Sequence, residues 1–347
     1  MSISETFLLK ADIAVPDEIL HTLSVRRQEQ AVDSKIKIYH ISQKLFGKLP
    51  DGYEVLFDGG TFCFIYKLRF GHKNILLKLA LDLPNYITPG FSKQLALHQC
   101  LSKHRIPVPL VYAPETPSDS KHYLVMDFIE GNTYGQFSNT QPQFDTVVES
   151  LGVLLASVHQ IKAWKYGEPV PELFEDAVLK GAVTDWQCVI LTRLEEHLFF
   201  CKQKEYLSNA DFRSSLSVFQ ELSEQFKLPK SSLLHGDLGP KNIIIKSDGG
   251  LCLLDWEDAL IGDPLFDIAM WGSFVQNKGK LNHFMRGYFQ GVEIPKDFHL
   301  RYCLYYYRIL LAKTMHRYRF QYHKNDQIPP AGRLLEAWLQ LKEAVNS

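Results

Sequence analysis

The stretch Leu234-His235-Gly236-Asp237-Leu238-Gly239-Pro240-Lys241-Asn242, followed downstream by Leu253-Leu254-Asp255-Trp256-Glu257, decides the reading of this chain. Apolar runs at 233–235, 243–246 and 251–255 predict short strands joined by tight loops, with the polar residues concentrated in the loops. Asp237 precedes Asn242 by five positions, and Asn242 precedes Asp255 by thirteen. The five-residue step lets one loop present a carboxylate and a carboxamide to the same cavity, and the strand pair returns the chain so that Asp255 can join them. Taken singly, an Asp after Gly is a turn residue and an Asn before a strand caps a turn. Taken in register, the three match what phosphoryl transfer from a nucleotide requires. That reaction needs a carboxylate to orient a hydroxyl and take its proton, and oxygen ligands to hold Mg²⁺ against the phosphates.

Upstream, residues 17–49 carry mixed helical patterns that stop at the turn signal Leu49-Pro50-Asp51-Gly52. The period then changes. Segments 53–57, 61–70 and 74–80 are rich in aromatic and branched residues and are separated by Asp58-Gly59-Gly60 and Gly71-His72-Lys73, which predicts three antiparallel strands. A helix is expected at about 91–104, stopped by Pro107 and Pro109. Two more strands, 108–112 and 122–128, end at Glu130-Gly131-Asn132. Beyond Gly131 the pattern is mostly helical, at about 143–160, 185–206, 209–226, 266–276, 280–290, 297–322 and 330–345. The expected fold class is therefore α+β in two lobes. Residues 1–130 form a five-stranded antiparallel sheet with one inserted helix, preceded by a helical extension at 1–50. Residues 131–347 form a mainly helical lobe that carries the small catalytic hairpin.

The Asp237–Asn242 spacing is also that of the kinase catalytic loop. HGDLGPKN followed by LLDWEDALIGDPLFDIAMW resembles the aminoglycoside phosphotransferase and choline kinase superfamily. The apolar helix 151–159 ending in His159 and the segment 123–131 are similar to the corresponding parts of that family, so the likeness runs from about residue 55 to 275. It implies a protein-kinase-like fold with ATP or GTP bound between the lobes and a small hydroxylated acceptor. Carried over position by position, Asp237 would be the catalytic base, and Asn242 and Asp255 the Mg²⁺ ligands through oxygen. Lys78 would meet the α- and β-phosphates, although a solvent-facing strand lysine is the alternative. Gly59, Gly60 and Thr61 would form the loop over the phosphates, and Asp127 and Ile129, at the hinge, would lie at the nucleotide. His235 would support the loop, while Asp263 and Asp267 would cap a helix and hold the loop backbone. Where the family usually places a Glu opposite the strand lysine, no acid occurs between Asp82 and Glu115, and Gln94 is nearest in register. A neutral amide can orient Lys78 by hydrogen bonding without an ion pair. Lys241, beside the metal ligands, would reach a phosphate or point to solvent.

Charge bears on the acceptor. The chain of 347 residues has a formal net charge of −1, against a polyanion-binding role overall. Residues 131–200 carry nine acids against four Lys/Arg, and 271–347 carry five against twelve. Glu257 and Asp258, next to a metal ligand, and the acidic stretch favour a cationic acceptor such as an aminoglycoside or related amino sugar. Choline, a sugar or an amino alcohol is the alternative, and a nucleotide-binding scaffold without turnover is a third reading. Trp164, Tyr166 and Trp186 would stack on a sugar or pack in the core. The Arg- and Tyr-rich segment 301–322 would form an anionic-ligand surface or an amphipathic helix packed by its tyrosines. The six scattered cysteines form no CxxC pair or zinc spacing and fit a reducing compartment. With neither a signal-peptide pattern at the N-terminus nor an apolar run of about 18 residues, a cytoplasmic location without membrane contact is expected.

Overall fold

The computed structural model describes residues 18, 25, 34–56, 62–81, 90–114, 119–136, 144–171, 178–222, 230–274, 277, 279–320 and 330–347. The chain divides into two compact units. Unit 1 comprises Met1–Ser2, Ala14–Gly131 and Ile244–Glu257; unit 2 comprises Ile3–Ile13, Asn132–Ile243 and Asp258–Ser347. The segment Ile244–Glu257, which the sequence reading assigned to the second lobe, contributes to unit 1.

In unit 1, strands β1 (Gly52–Val55), β2 (Cys63–Phe70), β3 (Lys73–Ala80), β4 (Val111–Tyr112) and β5 (Tyr123–Asp127) form one sheet in the order β1-β2-β3-β5-β4. Every pairing in it is antiparallel. The period of two sorts its side chains cleanly. Phe64, Tyr66, Leu68, Ile75, Leu77, Leu79, Tyr123 and Val125 form one core with Ile38 and Ile41 of helix α1 (Ser34–Phe46). Cys63, Leu124 and Met126, with Leu76 and Ala80 at its edge, pack on the other face with Phe91 of helix α2 (Phe91–Lys103). Lys78 shares the parity of Leu76 and Ala80, so its side chain falls on the α2 side. This is what places a lysine in an apolar strand.

Unit 2 opens with β6 (Asn132–Thr133) and helix α3 (Phe144–His159). The sequence reading expected only one hairpin beyond residue 131. Instead β7 (Lys162–Trp164), β8 (Tyr166–Pro169), β9 (Leu179–Val183), β10 (Ser231–Leu234) and a late strand, Leu260–Gly262, close a small barrel. Of these, β10 was expected at 233–235; the other four were missed because they are three to five residues long and pair with distant segments. Trp186 fixes the barrel from one side: it is fully buried, and a Cβ on Gly262 would collide with its ring. The helix expected at 185–206 is two, α4 (Trp186–Leu191) and α5 (Leu194–Gln203), broken where Arg193 adopts a left-handed backbone with φ 56°. After α6 (Asn209–Glu221) come β11 (Ile243–Ile245) and β12 (Leu251–Leu253), which from Ile244 onward belong to unit 1, and then β13 (Leu260–Gly262) in unit 2. Four helices follow: α7 (Pro264–Gly272), α8 (Leu281–Tyr288), α9 (Phe298–Arg319) and α10 (Pro330–Asn346).

Helices α3 and α8 meet at backbone distance. A Cβ on Gly287 would strike the Glu149 carbonyl, and one on Gly152 the Phe284 carbonyl. The Tyr-rich helix α9 is largely core: Tyr305, Tyr307 and Arg308 are fully buried. Arg308 donates to the Ile190 carbonyl at 2.7 Å and the Thr192 carbonyl at 2.6 Å, capping α4 at its C-terminus. The tyrosine packing expected of 301–322 is thus seen, but the central turns are buried on every face from Cys303 to Thr314, apart from the half-buried Tyr306, so this is a core helix and not an amphipathic one. Among the described residues no helix is long and apolar enough to cross a membrane.

Candidate active site

In unit 2 the loop after β10 is built around Gly236 and Asp267. Gly236 has φ 80°, and a Cβ there would strike the Asp258 carbonyl, so only glycine passes at this point. Asp267, fully buried in α7, accepts the His235 amide at 2.6 Å and the Gly236 amide at 2.9 Å. Its Oδ2 also lies 3.2 Å from His159 Nε2 at the end of α3. One carboxylate therefore fixes two consecutive peptides of the loop and ties them to another helix. Asp263 caps α7 by accepting from the Leu265 amide at 3.0 Å and takes further bonds from Arg301 Nε at 3.0 Å and the Tyr305 hydroxyl at 2.6 Å. The two aspartates of GDPLFD thus cap the helix and hold the loop backbone, the arrangement expected for them.

The loop then delivers its polar ends. Asn242 Nδ2 donates to the Asp237 carbonyl at 2.8 Å and to Asp237 Oδ2 at 3.1 Å. The five-residue spacing does bring carboxylate and carboxamide together. With the amide nitrogen committed to Asp237, the carboxamide oxygen of Asn242 is the end available to a hard cation. Lys241 is exposed, and His235 is buried with Nδ1 3.4 Å from the Asp237 amide.

Behind this loop lies a group that the sequence reading passed over. Phe274 stacks under it so closely that a Cβ on Gly239 would sit 2.8 Å from the ring. Lys313 of α9 places its Nζ 3.4 Å from the centroid of that ring and 2.6 Å from Ser273 Oγ. Burial pushes the Lys313 amine down to about 7, with Arg333 and Arg317 acting in the same direction and Asp237 opposing them. The available signal was a lone lysine in the apolar run ILLAKTM, ambiguous until the helix face was known.

In unit 1, Lys78 is buried and donates to Asp255 Oδ1 at 2.9 Å and to Gln94 Oε1 at 3.2 Å. Gln94 thus occupies the place opposite the strand lysine. Burial alone would lower the Lys78 ammonium, but Asp255, with Cys63 and Glu257, overrides it and its pKa is raised. Asp255 reaches this position because the Leu253 amide bonds the Pro107 carbonyl at 2.9 Å, tying β12 to the segment after α2. Its own backbone is left-handed, with φ 60°, a conformation that a short polar residue tolerates better than a branched one.

The remaining predicted residues fall as follows. Glu257, proposed to face the acceptor, acts on the charge of Lys78. Asp258 is buried, 7% exposed, with its carbonyl against Gly236. Asp127 accepts from the Tyr112 hydroxyl at 2.6 Å and pairs with Lys73 at 3.0 Å, so its side chain belongs to the sheet. Ile129 is half-buried just beyond β5. Gly59, Gly60 and Thr61 lie outside the described residues. Trp186 is core, whereas Trp164 is 68% exposed.

Comparison with known proteins bears on the fold and the family. No curated protein matches the chain significantly by sequence. Solved structures share its fold at low identity. A candidate fructosamine-3-kinase from Thermobifida fusca matches with a TM-score of 0.63 at 17% identity, over 89% of this chain and 99% of its own. Aminoglycoside phosphotransferase APH(4)-Ia matches with a TM-score of 0.62 at 16% identity, over 91% of this chain and 98% of its own. The choline kinase of Streptococcus pneumoniae gives 0.59 at 16% identity, over 90% and 99%. The profile of the phosphotransferase enzyme family matches residues 87–300, which is more than half of the chain and includes Gln94, Asp237, Asn242 and Asp255. The chain is therefore a small-molecule phosphotransferase that belongs to the phosphotransferase enzyme family.

Proposed function

We propose that this enzyme transfers the γ-phosphoryl group of ATP or GTP to a hydroxyl of a small metabolite, with Asp237 as the catalytic carboxylate. The observation that carries the reading is the loop 235–242. Its backbone is gripped by Asp267, and its Asp237 carboxylate is held by Asn242 at 3.1 Å. In the reaction the acceptor oxygen forms a bond to Pγ, the bond from Pγ to the β,γ-bridging oxygen breaks, and the hydroxyl proton passes to Asp237. Lys78 meets the nucleotide phosphates as an ammonium, which Asp255 and Gln94 hold in place. Mg²⁺ suits the donors assigned to it: Asn242 keeps its carboxamide oxygen, and the Asp255 side chain is 40% exposed. Once bound, the ion neutralises charge on the phosphates. APH(4)-Ia, in a thermostable mutant form, has been solved as a ternary complex with ADP and hygromycin B, which supports the assignment of a nucleotide co-substrate.

The acceptor reading shifts with the geometry. Glu257 acts on Lys78 and Asp258 is buried, so the two carboxylates that favoured an aminoglycoside have other surroundings. This favours a metabolic acceptor, a sugar or related polyol, over an aminoglycoside. A panel of hydroxylated acceptors with Mg·ATP and Mg·GTP, read by mass gain of one phosphoryl group, tests the activity. Asp237→Asn should lower turnover by about 10²–10⁴ while nucleotide affinity stays nearly intact. Turnover like that of the wild type in this variant would remove Asp237 from its role.

A further inference from the structure

We infer that Tyr288 is a positioning residue for the catalytic loop. Its hydroxyl donates to His159 Nδ1 and so fixes the ring tautomer whose Nε2–H donates to Asp267, the carboxylate that grips the loop. This rests on the reading of Asp237 as the catalytic carboxylate. It adds a residue of α8 that acts on Asp237 through two others, without touching substrate.

Donor and acceptor chemistry sets the direction of each bond. Asp267 is fully buried; its Oδ1 accepts the Gly236 amide at 2.9 Å and its Oδ2 the His235 amide at 2.6 Å. An ionised carboxylate only accepts, so His159 Nε2, 3.2 Å from the same Oδ2, carries a proton. A neutral imidazole then has a bare Nδ1, which needs a donor. The Tyr288 hydroxyl, 2.7 Å away, is that donor. Burial and the charges of Asp267 and Asp263 push the Tyr288 phenol up, so it keeps its proton at neutral pH. The His159 side chain is 3% exposed, so bulk water does not compete for either nitrogen.

The sequence builds this contact with glycine. Gly152 lies two helical turns before His159 on the same face of α3, and Gly287 directly precedes Tyr288. Each packs against the other helix's backbone. A Cβ on Gly152 would stand 2.7 Å from the Tyr288 amide nitrogen, and one on Gly287 would strike the Glu149 carbonyl. This close approach brings Tyr288 within reach of His159. Its ring is then pinned, parallel to Phe284 at 6.4 Å and edge-on to Phe289 at 4.8 Å, which gives the hydroxyl a fixed direction.

The consequence for the reaction is positional. Asp267 Oδ2 serves both His159 and the His235 amide, two residues before Asp237. Without the Tyr288 hydroxyl, the imidazole can carry its proton on Nδ1, and Nε2 then turns a lone pair toward Oδ2. That repulsion moves the carboxylate off the loop amides and loosens Asp237 relative to the acceptor hydroxyl. Lys78 and Asp255, assigned to the nucleotide, take no part.

The test uses the full chain. Nitrogen NMR of isotope-labelled histidine at pH 8 reads the His159 tautomer, and amide hydrogen exchange reads the grip on His235 and Gly236. Wild type should show a neutral ring with its proton on Nε2 and a hydrogen-bonded, bare Nδ1. Tyr288→Phe, which keeps the ring, should abolish the hydrogen-bonded signature of Nδ1. It should also speed exchange of both amides by about 3–10-fold, the usual worth of one hydrogen bond. With Mg·ATP and an acceptor, kcat should fall by a similar factor while KM for the nucleotide is unchanged. In a His159→Leu background Tyr288→Phe should change nothing further, because it acts through His159. A wild-type ring protonated on Nδ1, alone or together with Nε2, overturns the inference. So do unchanged exchange or unchanged kcat in Tyr288→Phe, or its full effect in the His159→Leu background. The wild-type spectrum is decisive even where a variant fails to fold. Spectrum and exchange need no acceptor, so if no compound gains a phosphoryl group the kinase reading fails, while these two measurements still decide the contact.

Discussion

Lys78 Nζ lies 2.9 Å from Asp255 Oδ1, a contact that joins residues 177 positions apart in the chain. The strand lysine and the proposed metal ligand therefore share a charge. Removing either changes the other's surroundings: Lys78 would be a buried ammonium without its strongest partner, and Asp255 would lose the group that orients it. Asp255→Ala is expected to abolish Mg²⁺-dependent nucleotide binding. Calorimetry with Mg·ATP checks this, and unchanged affinity would reduce Asp255 to a turn residue.

Gln94 gives Lys78 its neutral partner, at 3.2 Å, and its Nε2 is buried without a hydrogen-bond acceptor. Gln94→Glu replaces that orphan donor with a carboxylate oxygen and converts the hydrogen bond to a charge-assisted one, about twice as strong. KM for the nucleotide should fall about 3-fold, with kcat little changed. A rise in KM would mean that the new carboxylate draws Lys78 away from the phosphates.

Asp267 holds two loop amides and faces His159. Asp267→Ala leaves both amides buried and unpaired, so about 3–5 kcal/mol of stability should be lost, with activity lost as well. Asp267→Asn keeps one acceptor oxygen and should lose less. Urea midpoints for the two variants measure the difference; equal midpoints would show that the loop does not depend on this carboxylate.

Lys313 gives stability a pH slope of known sign. Its amine titrates at about 7 in the folded chain, below the ordinary value of about 10.4 for an unfolded lysine. Between those values the unfolded chain binds more protons than the folded one, so stability rises with pH across that window. The cost of burying the ammonium is complete below pH 7 and fades toward pH 10. Lys313→Met should therefore be stabilised relative to wild type at pH 6, by a margin that shrinks at pH 9. Urea unfolding at the two pH values checks it, and a margin that does not shrink contradicts it.

Helices α3 and α8 touch through glycine. Gly287→Ala drives a methyl group into the Glu149 carbonyl, which belongs to a helix backbone and cannot rotate away. A loss of about 1–3 kcal/mol is expected, as for other overpacked cores, and thermal unfolding measures it. Gly291→Ala is a useful contrast: nothing lies within 4 Å of its added Cβ, and its φ of 72° makes any loss purely conformational.

The sequence by itself determined the features set by local periodicity and short spacing. The five strands of unit 1 follow from alternating residues between turn signals, and the long helices from apolar periodicity. The Asp237–Asn242 pair follows from a spacing of five within one loop that carries the turn residues Gly239-Pro240 and folds back through the Gly239 amide on the Asp237 carbonyl and the Asn242 amide on the Gly239 carbonyl. The roles of Asp263 and Asp267 were legible for the same reason, because capping is a local interaction that the Asp-Pro pair announces.

What only tertiary structure decided were the pairings between distant segments. The barrel strands are too short to carry a periodic signal, and β7, β8 and β9 exist because β10 and β13 provide partners far along the chain. The break at Arg193 depends on a backbone angle that composition does not encode. The fates of Glu257 and Lys313 were undecidable from sequence for an electrostatic reason. A charge next to a catalytic residue in sequence can point to either side of a loop, and one 76 residues away can reach it through a helix face. Glu257 acts on Lys78 and Lys313 on the loop of Asp237, because packing, not sequence proximity, sets which charges share a low-dielectric neighbourhood.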